Sequence, residues 1–158
     1  MIKIMFVCHG NICRSPMAEL ILKSMVKEAG LEAHFRIASS ATSDEEIRHG
    51  IGNLVYPPAV EELRRHGIIT DGKRAVRLCS EDTDRYDLFI GMDSANIRNM
   101  HRILGEGAAK KIKKLMSYTS RGGDVADPWY SDRFDIAYRD IRDGCEGLLA
   151  SIREEYGL

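Results

Sequence analysis

The chain has 158 residues, enough to bury a core without disulfide or metal staples. It is 44% hydrophobic and 30% charged, and its 23 Lys+Arg against 24 Asp+Glu leave a net charge of −1. That balance speaks against a nucleic-acid or membrane surface, since both usually need a basic excess.

Ile2 to Val7 reads as a buried strand, too short for a signal-peptide core, and no apolar run approaches the ~20 residues of a membrane span. Pro16 then stands where a first helical turn tolerates it. Met17, Leu20, Ile21, Ser24, Met25 and Ala29 follow at helical spacing up to Gly30, a C-cap candidate. Phe35–Ser39 reads as a second strand, and residues 40–57 as a long polar loop. Helical spacing returns through Ala59, Val60, Leu63 and His66 and stops at Gly67. A third strand is expected over Tyr86–Asp93, then a helix from Ser94, its candidate cap, to Leu104. Ile112–Met116 reads as a fourth strand, 117–132 as a second polar loop, and Arg133–Glu155 as a final helix. Lys110, Lys111, Lys113 and Lys114 form the one dense basic run and read as a solvated flank of that fourth strand.

This alternation predicts one α/β domain over residues 1–158, a four-stranded parallel sheet with helices on both faces. Ligands of such sheets sit outside the carboxyl ends of the strands. The segment Cys8-His9-Gly10-Asn11-Ile12-Cys13-Arg14-Ser15 leaves the first strand at such an end.

The four cysteines, at 8, 13, 79 and 145, form no Cys-x-x-Cys, and the five histidines show no ligand spacing. A disulfide framework and a zinc site are therefore not expected, and a reducing, cytoplasmic setting is. A free thiol at pKa ~8.5 is mostly protonated near neutrality, and the thiolate is its reactive form. Cys8 precedes a helix, whose N-terminal partial charge and converging N–H groups favour the anion. Arg14 adds a fixed charge able to grip two oxygens of an oxyanion. Gly10 and Asn11 tolerate left-handed backbone, so successive N–H groups can face one concavity. Ser15 can donate to the sulfur. Together these parts bind a phosphate and place a nucleophile beneath phosphorus.

Cys79-Ser-Glu-Asp-Thr-Asp-Arg85 repeats the Cys-x5-Arg spacing, with three carboxylates and no glycine. Acids there repel a phosphate dianion and raise the thiol pKa. Cys79 therefore reads as a structural or surface thiol feeding a polar turn.

With the first window and Asp127-Pro128-Trp129-Tyr130 in hand, the sequence resembles the low-molecular-weight protein tyrosine phosphatases, as a bacterial-type member. Met17-Ala18-Glu19, His66-Gly67-Ile68, Met92-Asp93 with Asn96, Phe134 and Gly144-Cys145 extend the resemblance over essentially the whole chain. It implies a Rossmann-like fold of the phosphotyrosine phosphatase I type and hydrolysis of protein phosphotyrosine, without cofactor or metal. Cys8 would attack phosphorus and become phosphocysteine, Arg14 would bind the equatorial oxygens, and Asp127 would act as general acid and then base. His9, Gly10, Asn11, Ile12, Cys13 and Ser15 would complete the phosphate loop. Asn11, Ser15 and His66 would form a network holding its shape; by itself, a histidine at a helix end more often partners the C-terminal dipole. Trp129 and Tyr130 read as walls for a substrate ring or as a half-buried pair packing their loop. Cys13 reads as the partner in a reversible disulfide with Cys8 or as a small buried hydrophobe. The expected partner is a phosphotyrosine-containing protein or peptide, with no nucleic acid or membrane and a monomer or weak dimer.

The resemblance departs at 43–58, where Glu45 stands at a usual aromatic position; Tyr56 is a late substitute, and Glu45 and Glu46 disfavour acidic phosphopeptides. Arsenate reductases of this fold need two further cysteines on a mobile segment, and after Cys79 no second one follows within tens of residues. Arginine phosphatases of the fold carry threonine where this chain has Ile12. A non-catalytic phosphopeptide-binding module is the remaining alternative, against which both Cys8 and Asp127 stand.

Overall fold

The computed structural model describes all 158 residues. Its first strand, β1 (Ile2–Cys8), is apolar at nearly every position, as a strand covered on both faces must be. The chain continues through α1 (Arg14–Glu28), β2 (Phe35–Ala41), a small antiparallel hairpin of β3 (Ile47–Arg48) and β4 (Ile51–Gly52), and α2 (Pro57–Arg65). Then follow β5 (Leu88–Gly91), α3 (Ser94–Leu104), β6 (Ile112–Lys114), the short α4 (Pro128–Ser131) and α5 (Phe134–Tyr156).

The main sheet runs β2-β1-β5-β6, all parallel, with Phe6 of β1 opposite Ser39 on one side and Ile90 on the other. Alternation along β1 splits the core in two. Ile4, Phe6 and Cys8 join the large apolar cluster shared with α1, α2 and α5, whereas Met5 and Val7 join a smaller one with Met100 and Leu104 of α3. At Gly91 an added Cβ would stand 2.7 Å from Met100 Cε, so this glycine is what lets α3 close onto β5. β1 connects outward to β2 while β5 lies on its other side. The crevice between the carboxyl ends of β1 and β5 is therefore the switch point where such sheets bind ligands.

Several expected boundaries move. Helix α1 begins at Arg14 rather than Pro16, so the loop before it is shorter. The α3 cap is Asp93, not Ser94: its carboxylate accepts from the Asn96 N–H while the Asn96 side chain accepts from the Asp93 N–H, a reciprocal box. The third strand is confined to 88–91 and the fourth to 112–114, with residues 115–118 wound into a 3₁₀ turn. Part of the 40–57 loop is structured: β2 runs on to Ala41, and Gly52 approaches Ala75 so closely that any Cβ would strike its carbonyl. The basic run is not merely solvated. Lys111 Nζ donates to the carbonyls of Thr83 and Tyr86, and Lys114 pairs with Asp124 at 2.8 Å.

Candidate active site

The loop between β1 and α1 is held from outside by its carbonyls. Those of Cys8, His9 and Ile12 accept from the N–H groups of Thr42, Ser43 and Tyr56 at 3.0, 3.1 and 2.9 Å. The N–H groups of His9, Gly10, Ile12 and Cys13 donate to no backbone carbonyl, and the first N–H groups of α1 lack intrahelical partners by helix geometry. The Asn11 N–H points at Cys8 Sγ, 3.3 Å away. The result is a ring of donors around one sulfur at a helix N-terminus, an anion-binding arrangement. Only Asn11 in this loop takes the left-handed conformation, with φ 59°; Gly10 keeps negative φ, contrary to its expected role. Its missing side chain leaves room for Glu46, whose Cγ would lie 3.2 Å from an added Cβ.

Behind the sulfur, Ser15 Oγ lies 3.0 Å from Cys8 Sγ and 2.7 Å from Asn11 Nδ2. Asn11 Oδ1 accepts from the Val76 N–H at 2.9 Å, which fixes the amide so that its two hydrogens go to Ser15 and Ser39. Ser15, accepting from Asn11, keeps its own proton for an acceptor, of which Cys8 Sγ at 3.0 Å is nearer than the Ser40 carbonyl at 3.5 Å.

Arg14 is 3% exposed. Its Nη1 donates to Asp93 Oδ2 and to the Val125 carbonyl, both at 2.8 Å, and its Nη2 stands 3.6 Å from Asp127 Oδ2. Nε makes no hydrogen bond and Nη2 has only its 3.6 Å contact with Asp127, so the Nε/Nη2 edge can receive a ligand beside that carboxylate. Burial pushes the Asp93 carboxyl up, but the Asn96 N–H and the Arg14 guanidinium outweigh it and hold the carboxyl below its usual range. Sequence reasoning gave Asp93 no role. Its place one residue past Met92, at the carboxyl end of a central strand, was the available signal.

Asp127 caps α4, accepting from the Trp129 N–H at 3.0 Å, with Pro128 fixing the first helical φ. Val125 ties the same segment to the sheet by donating to the Met92 carbonyl. A cavity of about 210 Å³ results, lined by Cys8 through Arg14, Glu45, Glu46, Asp127, Trp129 and Tyr130. Trp129 packs on Tyr56, ring centroids 4.9 Å apart, while Tyr130 lines the cavity at 86% exposure. Tyr56 supports Trp129 from behind rather than replacing the missing aromatic; that rim position is held by Glu45, which pairs with His9 at 3.0 Å.

One sequence expectation is corrected here, and the reading of Cys13 as a small buried residue describes its place. His66 is not in the loop network: at the C-terminal end of α2 it stacks on Tyr138 at 3.7 Å and meets Glu62 Oε2 at 3.0 Å. A helix-end histidine follows its nearest i−4 carboxylate, and nothing in the spacing of Asn11, Ser15 and His66 opposed that. The network runs instead to Ser39, Glu19 and Lys73. Cys13 is buried in the loop as a free thiol; burial first, then the neighbouring Cys8 and Asp127, push it up to about 12. Cys79 lies outside the cavity. No group of three or more His, Cys, Asp or Glu could hold a metal ion. No helix is long and apolar enough to cross a membrane.

The model of the family described as low molecular weight phosphotyrosine protein phosphatase matches residues 3–157. The low molecular weight protein-tyrosine-phosphatase YfkJ of Bacillus subtilis is 39% identical over 157 residues, covering 98% of each chain. The low molecular weight phosphotyrosine protein phosphatase of Schizosaccharomyces pombe is 37% identical over 155 residues, covering 96% of this chain and 97% of that one. The crystal structure of YfkJ superposes with a TM-score of 0.92 over 98% of this chain and 96% of that one. A loop of free N–H groups around a thiol at the switch point, matched from end to end in sequence and in fold, places the chain in the low molecular weight phosphotyrosine protein phosphatase family.

Proposed function

We propose that this phosphatase hydrolyses protein phosphotyrosine in two steps through a phosphocysteine on Cys8. The carrying observation is the convergence of Cys8, the open edge of Arg14 and Asp127 on one cavity of about 210 Å³. The phosphate dianion settles in the donor ring, its equatorial oxygens shared between loop N–H groups and Arg14 Nε/Nη2. Cys8 Sγ attacks phosphorus in line, forming the S–P bond while the P–O bond to the ring breaks. A phenolate leaves poorly, since tyrosine titrates near ~10, so Asp127 delivers a proton to that oxygen. In the second step the Asp127 carboxylate takes a proton from water, which attacks phosphorus. Cys8 leaves as thiolate with Ser15 donating to it, and inorganic phosphate departs.

Trp129 and Tyr130 flank the cavity on the Asp127 side and supply aromatic walls for the departing ring. Ile12, buried at the loop, presents no hydroxyl to a guanidinium, in keeping with an aryl rather than a guanidino leaving group. Steady-state hydrolysis of a phosphotyrosyl peptide and a small aryl phosphate, with chelator present, tests the reading. Turnover with chelator and 32P trapped covalently on rapidly denatured wild type but not on Cys8→Ala supports it. Full turnover by Cys8→Ala overturns it.

A further inference from the structure

Asn11 begins a second line of hydrogen bonds that runs away from the cavity and ends on two lysines. Its Nδ2 donates to Ser39 Oγ at 2.9 Å, and Ser39 Oγ donates to Glu19 Oε1 at 2.6 Å. Glu19, on α1, is 6% exposed. Its Oε2 accepts from Lys23 Nζ at 2.6 Å, and its Oε1 lies 3.6 Å from Lys73 Nζ. Lys73 also donates to the Ser39 carbonyl at 3.2 Å. Lys23 is half exposed, whereas the Lys73 side chain is 15% exposed, so Lys73 is the less screened cation on this carboxylate. The segment carrying Lys73 also supplies the Val76 N–H that fixes the Asn11 amide. One stretch of chain therefore grips Asn11 at one end and faces Glu19 with a charge at the other.

We propose that Lys73 is a positioning residue for the nucleophile: its ammonium holds Glu19 as a carboxylate, Glu19 claims the Ser39 proton, and the Ser39 oxygen thereby remains an acceptor for Asn11. Asn11 so anchored turns the Ser15 hydroxyl toward Cys8 Sγ. The inference rests on the two-step reading above. A buried carboxylate keeps its charge only with partners, and here it has two of unequal exposure. The charged and titratable groups facing Lys73 are Glu19, Lys23 and, through the loop, Cys8, with Lys27 and Asp71 along the open groove beside it. Burial lowers the Lys73 pKa, and the neighbouring Glu19 works against that.

The test compares kcat/KM for a small aryl phosphate across pH in wild type, Lys73→Arg, Lys73→Met and Lys73→Gln, with thermal melting alongside. The same Lys73 replacements are repeated in a Glu19→Gln background. Lys73→Met and Lys73→Gln should lose roughly ten-fold, about one charge-assisted hydrogen bond, with the acid limb displaced to higher pH. Lys73→Arg should stay within about two-fold with its limb in place, because it keeps the charge. In Glu19→Gln the further loss should shrink to about two-fold or less, since the pair acts through one contact. A lower melting temperature with an unmoved acid limb in both uncharged variants would make Lys73 merely structural and overturn the proposal. So would an undiminished loss in Glu19→Gln. Should one uncharged variant not fold, the other decides. Absence of aryl phosphatase activity in wild type is the separate result that would remove the underlying reading first.

Discussion

Residues 8–14 and 79–85 share one spacing, Cys-x5-Arg, and differ in almost everything that spacing does not specify. Cys8 closes a central strand and is separated by five residues from a fifteen-residue helix, with the Asn11 N–H facing the sulfur and Arg14 buried. Cys79 opens a five-residue 3₁₀ turn, and its thiol donates to Asp82 at 3.4 Å. Arg85 is turned back to the same Asp82 and is otherwise solvated. Slight burial and the carboxylates of Glu81 and Asp82 push the Cys79 thiol up. The acids do inside the second turn what a bound phosphate would do inside the first: they occupy the donors. A Cys-x5-Arg pattern becomes an oxyanion site only where its own side chains leave those donors free.

The largest expected effect separates the two sulfurs. Cys8→Ser should cut phosphotyrosyl peptide turnover by at least ~10⁴ fold, as loss of a nucleophile does, whereas Cys79→Ser should leave it unchanged. Equal loss in both would end the distinction. Next comes the group that only the first window reaches. Asp127→Asn should slow aryl phosphate hydrolysis by ~10²–10⁴ fold, and less for a nitrophenyl ester whose leaving group needs no proton. A uniform effect across leaving groups would remove Asp127 from the acid role.

Arg14 differs from Arg85 in being anchored by Asp93. Asp93→Asn should cost ~10–100 fold in kcat/KM, the worth of one hydrogen bond to a buried charge, mostly as weaker binding of inorganic phosphate. The same variant has a pH signature. Because the folded Asp93 carboxyl sits below its unfolded value of about 3.9, it contributes stability above that pH and loses it as pH falls through the folded value. Acid unfolding of Asp93→Asn should thus be flatter below about pH 4; a parallel curve would show that Asp93 carries no such linkage. The smallest effect is in labelling. At neutral pH a haloacetamide should modify Cys8 ahead of Cys13, which is pushed up to about 12, and of Cys145, pushed up further by full burial. Inorganic phosphate should protect Cys8, and loss of that order would contradict the donor ring.

Much of this was readable before folding. Apolar runs of four to six residues alternating with helical spacing lead to a parallel sheet, and that topology puts a strand-exit loop at a ligand site whatever its residues are. Glycine, the absence of acids and the helix that follows then distinguish Cys8 from Cys79. What could not be read was everything held by contacts across the sheet. His66 lies in a motif that fits the loop network, yet stacks on Tyr138, because an aromatic face and a carboxylate one turn away are nearer partners. Lys73 shows no sequence signal, since a lone lysine in a polar connection looks solvated until β2 and α1 bring Ser39 and Glu19 beside it.

The sequence by itself determined which loop carries the chemistry and which acid could serve it, because backbone periodicity and local charge are short-range properties. Only the tertiary structure decided which groups hold that loop in place. Asp93, Val125, Val76 and Ser39 reach it across 28 to 111 residues of chain, and Lys73 joins through Ser39, by hydrogen bonds whose partners are chosen by strand register and side-chain burial.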